Sequence, residues 1–214
     1  TIGGIAAGSV LYSELHDGAL KNLIDELTRV TYLAQVIVSV AGTDRPSEFN
    51  EMRDAFAPVR TRSGAPPTLI WEGGPRVQGL YEALRHEGLE AGGPGKGRGV
   101  WLSFGYVLAT DLARVIAVHD CDIRDYDREL LARLCFPVAN RNMNYEFAKG
   151  YYARSSDRLY GRATRLFVTP IVRALRAVLG PLPLPDYLDS FRFALAGQCA
   201  LTPDLSRRIR IPSH

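Results

Sequence analysis

Apolar and polar positions follow two rhythms along this chain, and the switch between them predicts its elements. In "ALKNLIDELTRV" the apolar residues Leu20, Leu23, Ile24 and Leu27 recur at the spacing of one helical face. "AQVIVSVAG", Ala34 to Gly42, is instead a short β-branched run ending at a turn residue, which predicts a buried strand. "SEFNEMRDAFAPV" predicts a helix capped by Ser47, "PTLIWEGG" a second strand ending in glycines, and "VQGLYEALRHEGL" a helix after it. "GGPGKGRG" reads as a Gly-rich loop, followed by helix in "VWLSFGYVLATDLA", strand in "VIAVHDCDI" and helix through "DRELLARLC". Strand and helix thus alternate three times, the pattern of an α/β domain with a mainly parallel sheet flanked by helices.

Beyond Val138 the regularity weakens. "YEFAKGYYAR" suits a strand, "RLFVTPIVRALRAVLG" a helix, and "PLPLPDYLDS" a Pro-rich connection. The change suggests a nucleotide-binding half, 1–138, and a less regular acceptor-binding half, 139–214, within one continuous domain. "SVLYSE" looks like the end of a first strand behind the Gly/Ala-rich "TIGGIAAG", and "RIRIPSH" ends without a closing element. The sequence therefore reads as incomplete at both ends.

Composition narrows the class. Of 214 residues, 46% are apolar and 23% charged, which is ordinary globular composition. The formal charge of +3 mildly favours anionic small ligands but is too small to imply nucleic acid. Cys121, Cys135 and Cys199 are odd in number and lack metal-type spacing, which suggests a reducing compartment and a cytoplasmic location. No apolar run approaches the roughly 20 residues of a membrane span. A homodimer is the default assembly.

Four features carry candidate chemistry. In a parallel sheet, ligands bind beyond the carboxyl ends of the strands. Asp120 and Asp122, at the end of an apolar strand, would place two carboxylates there on one side, hard ligands suited to Mg²⁺ or Mn²⁺. The same pair also suits a solvated turn. His119 reads as packed rather than ligating. In the Gly-rich loop, glycines would let backbone amides approach phosphate while Lys96 supplies a charge. The loop is not a Walker motif, and it equally suits a flexible surface. Glu14, in "LYSE", suits either a nucleoside contact or a helix N-terminal acid. "KGYYARSSDRLYGRATR", with Lys149, Arg154, Arg158, Arg162, Thr164 and Arg165, suits a phosphorylated or carboxylated acceptor or a solvated face.

Taken in order, "LYSE", "VAGTDR", "GPGKGRGVW", "VHDCDI", "FAKGYYAR", "YGRATRLFVTPIVRAL" and "FRFALAGQCAL" with a following "IPS" resemble one family. The chain is similar over nearly its whole length to GT-A glycosyltransferases of the glucosyl-3-phosphoglycerate and mannosyl-3-phosphoglycerate synthase type. That resemblance implies a retaining transfer of a hexose from a nucleoside diphosphate sugar (GDP-mannose, or UDP- or GDP-glucose) to 3-phosphoglycerate or glycerate. It implies Mg²⁺ or Mn²⁺ on Asp120 and Asp122, Asp122 the more direct ligand, with Lys96 on the diphosphate and Glu14 on the nucleoside. The nucleotide-sugar set it implies is Leu11, Tyr12, Glu14, Gly42, Gly95, Lys96, Asp120, Cys121 and Asp122. The acceptor set is Lys149, Gly161, Arg162, Ala163, Thr164 and Gln198. The reaction would rest on Asp122, Lys96 and Arg162.

The sequence departs from the family twice. The acid of the family's "LAGE" is Gln198 here, and a neutral amide cannot act as base or counter-charge. The family's further metal-ligand histidine follows a Gly-rich segment that these residues lack, leaving only His214 near that place. Two other readings follow: a non-catalytic nucleotide-sugar-binding relic, and a sugar-phosphate nucleotidyltransferase. The second class carries its Gly-rich loop straight after the first strand, whereas here the loop lies three elements later.

Overall fold

A computed structural model describes residues 5–151, 163–191 and 196–211. Their contacts divide the chain into two compact units, Thr1–Ala148 with Cys199–His214, and Lys149–Gln198. The first break thus falls at 148/149, past the end of the helix that contains 138/139, and the last residues return to the first unit.

The first unit is built on a sheet. Strands β1 (Ile5–Leu11), β2 (Val36–Ala41), β3 (Thr68–Trp71), β4 (Ile116–His119), β5 (Phe147–Lys149) and β6 (Cys199–Leu201) lie in the order β3-β2-β1-β4-β6-β5. β1 runs parallel to both β2 and β4, and β2 parallel to β3, while β6 adds antiparallel to β4. The "IAAG" stretch is strand rather than a lead-in. An irregularity between Ala7 and Val10 shifts the register of β1 against β2.

Helices cover both faces because the central strands are apolar on both. Val36, Val38 and Val40 point to a cluster shared with Leu20, Leu23 and Leu27 of α1 (Gly18–Thr28), Met52 and Phe56 of α2 (Pro46–Phe56), and Leu131 and Cys135. Their alternate neighbours, Ile37 of β2 and Ile116 and Val118 of β4, pack against Phe104 and Val107. Leu131 and Cys135 belong to α5 (Arg128–Ala139), Phe104 and Val107 to α4 (Lys96–Thr110). Between β3 and α4 runs α3 (Pro75–His86).

Two sequence expectations are corrected in this unit. α2 starts one residue before Ser47, at Pro46, behind Arg45, whose side chain makes no cap bond. Proline opens the helix there because a first-turn N–H has no partner to lose. The Gly-rich loop is half helix, since α4 begins at Lys96.

In the second unit, "PLPLPDYLDS" is a helix from Pro183 onward. Before it, a wide turn of π-helix at Thr164–Val168 leads into α6 (Thr169–Leu179), and α7 is Pro183–Ser190. Both prolines of α7 sit in its first turn, and the first amide to find a helical partner is Asp186 N–H, on Leu182 O. The wide turn just ahead of Pro170 absorbs the hydrogen bond that proline cannot donate. Arg176 ties the two helices, 2.7 Å from Asp186 and from Asp189. Back in the first unit, Thr202 caps the last helix, α8 (Pro203–Arg208), by accepting from Leu205 N–H.

Candidate active site

The strand order reverses at β1 and β4, neighbours whose sequels diverge to opposite sides of the sheet. A crevice forms at the carboxyl ends of such strands. Into this edge run the 3₁₀ turn Tyr12–His16 after β1 and the residues Asp120–Asp122 after β4.

β4 ends at His119, so Asp120 and Asp122 lie in the turn beyond it and strand alternation does not set their directions. What gathers them is Lys96. Its ammonium forms an ion pair with Asp120 and interacts with Asp122 and Glu14. Lys96 opens α4, the helix that packs on β1 and β2, with Gly95 before it in extended backbone. Burial lowers the Lys96 ammonium from its ordinary range, an effect opposed by Asp122, Cys121, Cys199 and Glu14. Glu14 accepts from Leu11 N–H at 3.0 Å. Desolvation raises its carboxyl, the Leu11 bond and Lys96 oppose that, and the negative charges of Asp122 and Asp17 add to it. Three carboxylates thus share one lysine, a local excess of negative charge.

That excess is the observation bearing on a metal. Oxygen donors on one sheet edge fit Mg²⁺ or Mn²⁺ shared with a diphosphate. No group of three or more His, Cys, Asp or Glu side chains among the described residues could hold a metal by itself, so the protein's share would be Asp120 and Asp122.

The other residues expected at the nucleotide end are placed as follows. Gly42 ends β2's turn at φ 73°, a left-handed value, and a Cβ there would lie 3.2 Å from Leu11 Cδ2. Leu11 is exposed, and the Tyr12 hydroxyl donates to Glu51 at 2.7 Å. Cys121 turns inward into the core, where burial pushes its thiol up to about 12. His119 is packed, edge-on to Tyr126 at 5.4 Å, with neither ring nitrogen bonded and its pKa lowered by burial to about 4.

In the second unit, Lys149 Nζ donates to Ala196 O at 2.7 Å, and Gly150 N–H to Gln198 O at 2.8 Å. Gln198 is fully buried. Ala163 is exposed at the start of the wide turn, and Thr164 is buried with its hydroxyl unbonded. Gly161, Arg162, Arg154, Arg158 and His214 lie outside the described residues.

Sequence reasoning missed the supports. Asn22 of α1 donates to Arg124 O at 3.2 Å and Tyr126 O at 2.9 Å, bracing the turn after Asp122. Glu72 is buried just past β3 and accepts from Ser39 Oγ at 2.8 Å. An acid directly after a strand, in "IWEGG", was the available signal.

The fold is that of a GT-A glycosyltransferase. It aligns with crystal structures of glucosyl-3-phosphoglycerate synthase from Mycobacterium tuberculosis, one in complex with Mn²⁺, UDP and glucosyl-3-phosphoglycerate. That alignment has a TM-score of 0.58 and 21% identity, and covers 96% of this chain and 57% of that one. A complex with phosphoglyceric acid gives 0.60 at 21%, over 96% and 57%.

In sequence, the chain is similar to glucosyl-3-phosphoglycerate synthases. It is 45% identical over 203 residues to that enzyme from Persephonella marina, covering 94% of this chain and 49% of that protein. It is 34% identical over 208 residues to the one from Methanococcoides burtonii, covering 95% and 50%. The chain spans about half the length of the curated relatives it matches. No family model matches it. No helix of the described residues is long and apolar enough to cross a membrane.

Proposed function

We propose that the protein transfers a glucosyl group from a nucleoside diphosphate glucose to the hydroxyl of 3-phosphoglycerate, with retention and with Mg²⁺ or Mn²⁺ bound. The observation that carries this is Lys96 held among Asp120, Asp122 and Glu14 at the strand-order reversal. The relatives named glucosyl-3-phosphoglycerate synthase support the sugar and acceptor, and the M. tuberculosis complexes support UDP and the divalent ion.

The nucleotide binds the first unit. Glu14, Leu11, Tyr12 and Gly42 border the nucleoside, and Lys96 takes the diphosphate, exchanging its pair with Asp120 for phosphate oxygens. Asp120 and Asp122 would hold the metal, which would supply Lewis acidity toward the leaving diphosphate. As the sugar–phosphate bond breaks, charge grows on that leaving group, and the Lys96 ammonium stabilises it. The acceptor's anionic groups fall to Arg162 with Gly161 and Thr164. The buried Thr164 hydroxyl is a donor with no hydrogen-bond partner among the described residues. Anchoring both ends of the acceptor orients its hydroxyl toward the anomeric carbon. Gln198 cannot serve as base, so that hydroxyl's proton leaves by another acceptor, and the departing phosphate is a basic group the reaction itself supplies.

The test is incubation of the protein with UDP-glucose or GDP-glucose, 3-phosphoglycerate and Mg²⁺ or Mn²⁺, with glucosyl-3-phosphoglycerate as the measured product. Asp122→Ala lowers turnover by about 10² or more. A near-normal rate in that variant at saturating metal would remove the metal assignment. Gln198 favours one second reading, a binding relic. Tight nucleotide-sugar binding without transfer or hydrolysis would establish it.

A further inference from the structure

The first turn of α4 is held from two sides. Lys96 reaches the carboxylates after β4, and Arg98, two residues on, points to the other side of the turn, since successive helical residues are rotated by about 100°. There its guanidinium lies 4.7 Å from the centre of the Tyr81 ring, and its Nε is 3.8 Å from Glu72 Oε2. Arg98 and Glu72 are both largely buried, with side-chain exposures of 14% and 4%.

Glu72 is itself fixed. Its N–H donates to Val40 O at 2.9 Å, its carbonyl accepts from Gln78 Nε2 at 2.8 Å, and its other carboxylate oxygen accepts from Ser39. A carboxylate in such a place needs a cation. Arg98 is a cation that the fold brings beside it, with its guanidinium over the Tyr81 ring. The grip therefore runs from the ends of β2 and β3, through Glu72 and Arg98, into the turn that carries Lys96.

We propose that Arg98, gripped by Glu72 and Tyr81, is a positioning residue for Lys96: it fixes the turn from which the ammonium meets the diphosphate. This rests on the reading of Lys96 as the diphosphate contact. Arg98 touches neither substrate nor metal in this scheme. Its effect on ligand passes through Lys96, and that separates it from a residue that merely stabilises the fold.

The experiment is a double-mutant cycle of Arg98→Met with Lys96→Ala, read by calorimetric binding of UDP or GDP in the presence of Mn²⁺ to the whole chain. Arg98→Met is expected to weaken nucleotide binding about tenfold when Lys96 is present and by less than about twofold in the Lys96→Ala background. Thermal melts are expected to show the same loss of stability in both backgrounds. Glu72→Gln and Arg98→Lys should show the same coupling and serve if Arg98→Met does not fold. Tyr81→Phe, which keeps the ring, should bind within about twofold of the parent.

Equal weakening in both backgrounds, or none in either, would overturn the positioning role alone, provided that Lys96→Ala itself weakens binding. If Lys96→Ala binds as well as the parent, or the parent binds neither nucleotide, the diphosphate reading and this inference both fall.

Discussion

The two units of the chain are held together by different forces. The sheet unit buries Leu20, Leu27, Ile37, Met52, Phe56, Ile116 and Leu131 almost completely, with helices on both faces. In the described part of the second unit, by contrast, Val178 is 82% exposed, Leu166 72% and Phe167 and Leu184 65% each. Its helix pair is joined by exposed ion pairs, Arg176 with Asp186 and Asp189 and Arg173 with Asp189. These arginines line a groove but spend their charge on the facing helix, so they tie α6 to α7 rather than wait for an anion. The sheet unit thus holds Lys96 and its carboxylates on a well-packed edge, whereas the described part of the second unit is fastened by backbone and surface charge.

Substitutions should expose that asymmetry. Phe56→Ala, which empties a fully buried site between α2 and the sheet, is expected to lower stability by about 3–5 kcal/mol in denaturant titration. A loss under about 1 kcal/mol would mean that the sheet unit's core is not what stabilises it.

Next comes acidification. His119 is buried neutral, its pKa lowered to about 4 from the ordinary 6.5. Between those values the unfolded chain takes up a proton that the folded one refuses. Stability therefore falls as pH drops through 6.5, and the penalty is complete below 4, at about 3 kcal/mol. His119→Leu should flatten that part of the stability–pH curve relative to the parent, and equal slopes would place the acid sensitivity elsewhere.

Gly150→Ala sets a Cβ 3.0 Å from Gln198 Cβ. It should cost about 1–3 kcal/mol, and an unchanged melting temperature would show that this junction yields freely. Smallest is Arg176→Ala, which removes two exposed pairs and should cost about 1 kcal/mol or less. A larger loss would make the ion pairs, not the backbone, the main support of the second unit.

What the sequence disclosed follows the same division. Runs such as Val36–Val40 declare a central strand because burial on both faces demands apolar side chains throughout, and α1 shows its buried stripe at helical spacing. The Lys96 and Asp-x-Asp site was legible because its residue types are chemically distinctive. α7 was hidden by prolines that are harmless in a first turn, and the antiparallel return of β6 beside β4 by its distance along the chain. The Ser39–Glu72–Arg98 contacts join three elements, and no local pattern marks residues that meet only after folding.

One junction has a wider consequence. The chain enters the second unit at Lys149 and Gly150 and leaves it at Ala196–Gln198, and these two passages are bonded to each other, Lys149 to the Ala196 carbonyl and Gly150 to that of Gln198. An excursion whose ends are stitched together can change its length cheaply, since doubling a loop costs only about 0.6 kcal/mol in closure entropy. The intervening residues are thus a replaceable cassette. That stretch can diversify by insertion, deletion or grafting while the strands of the first unit keep their register.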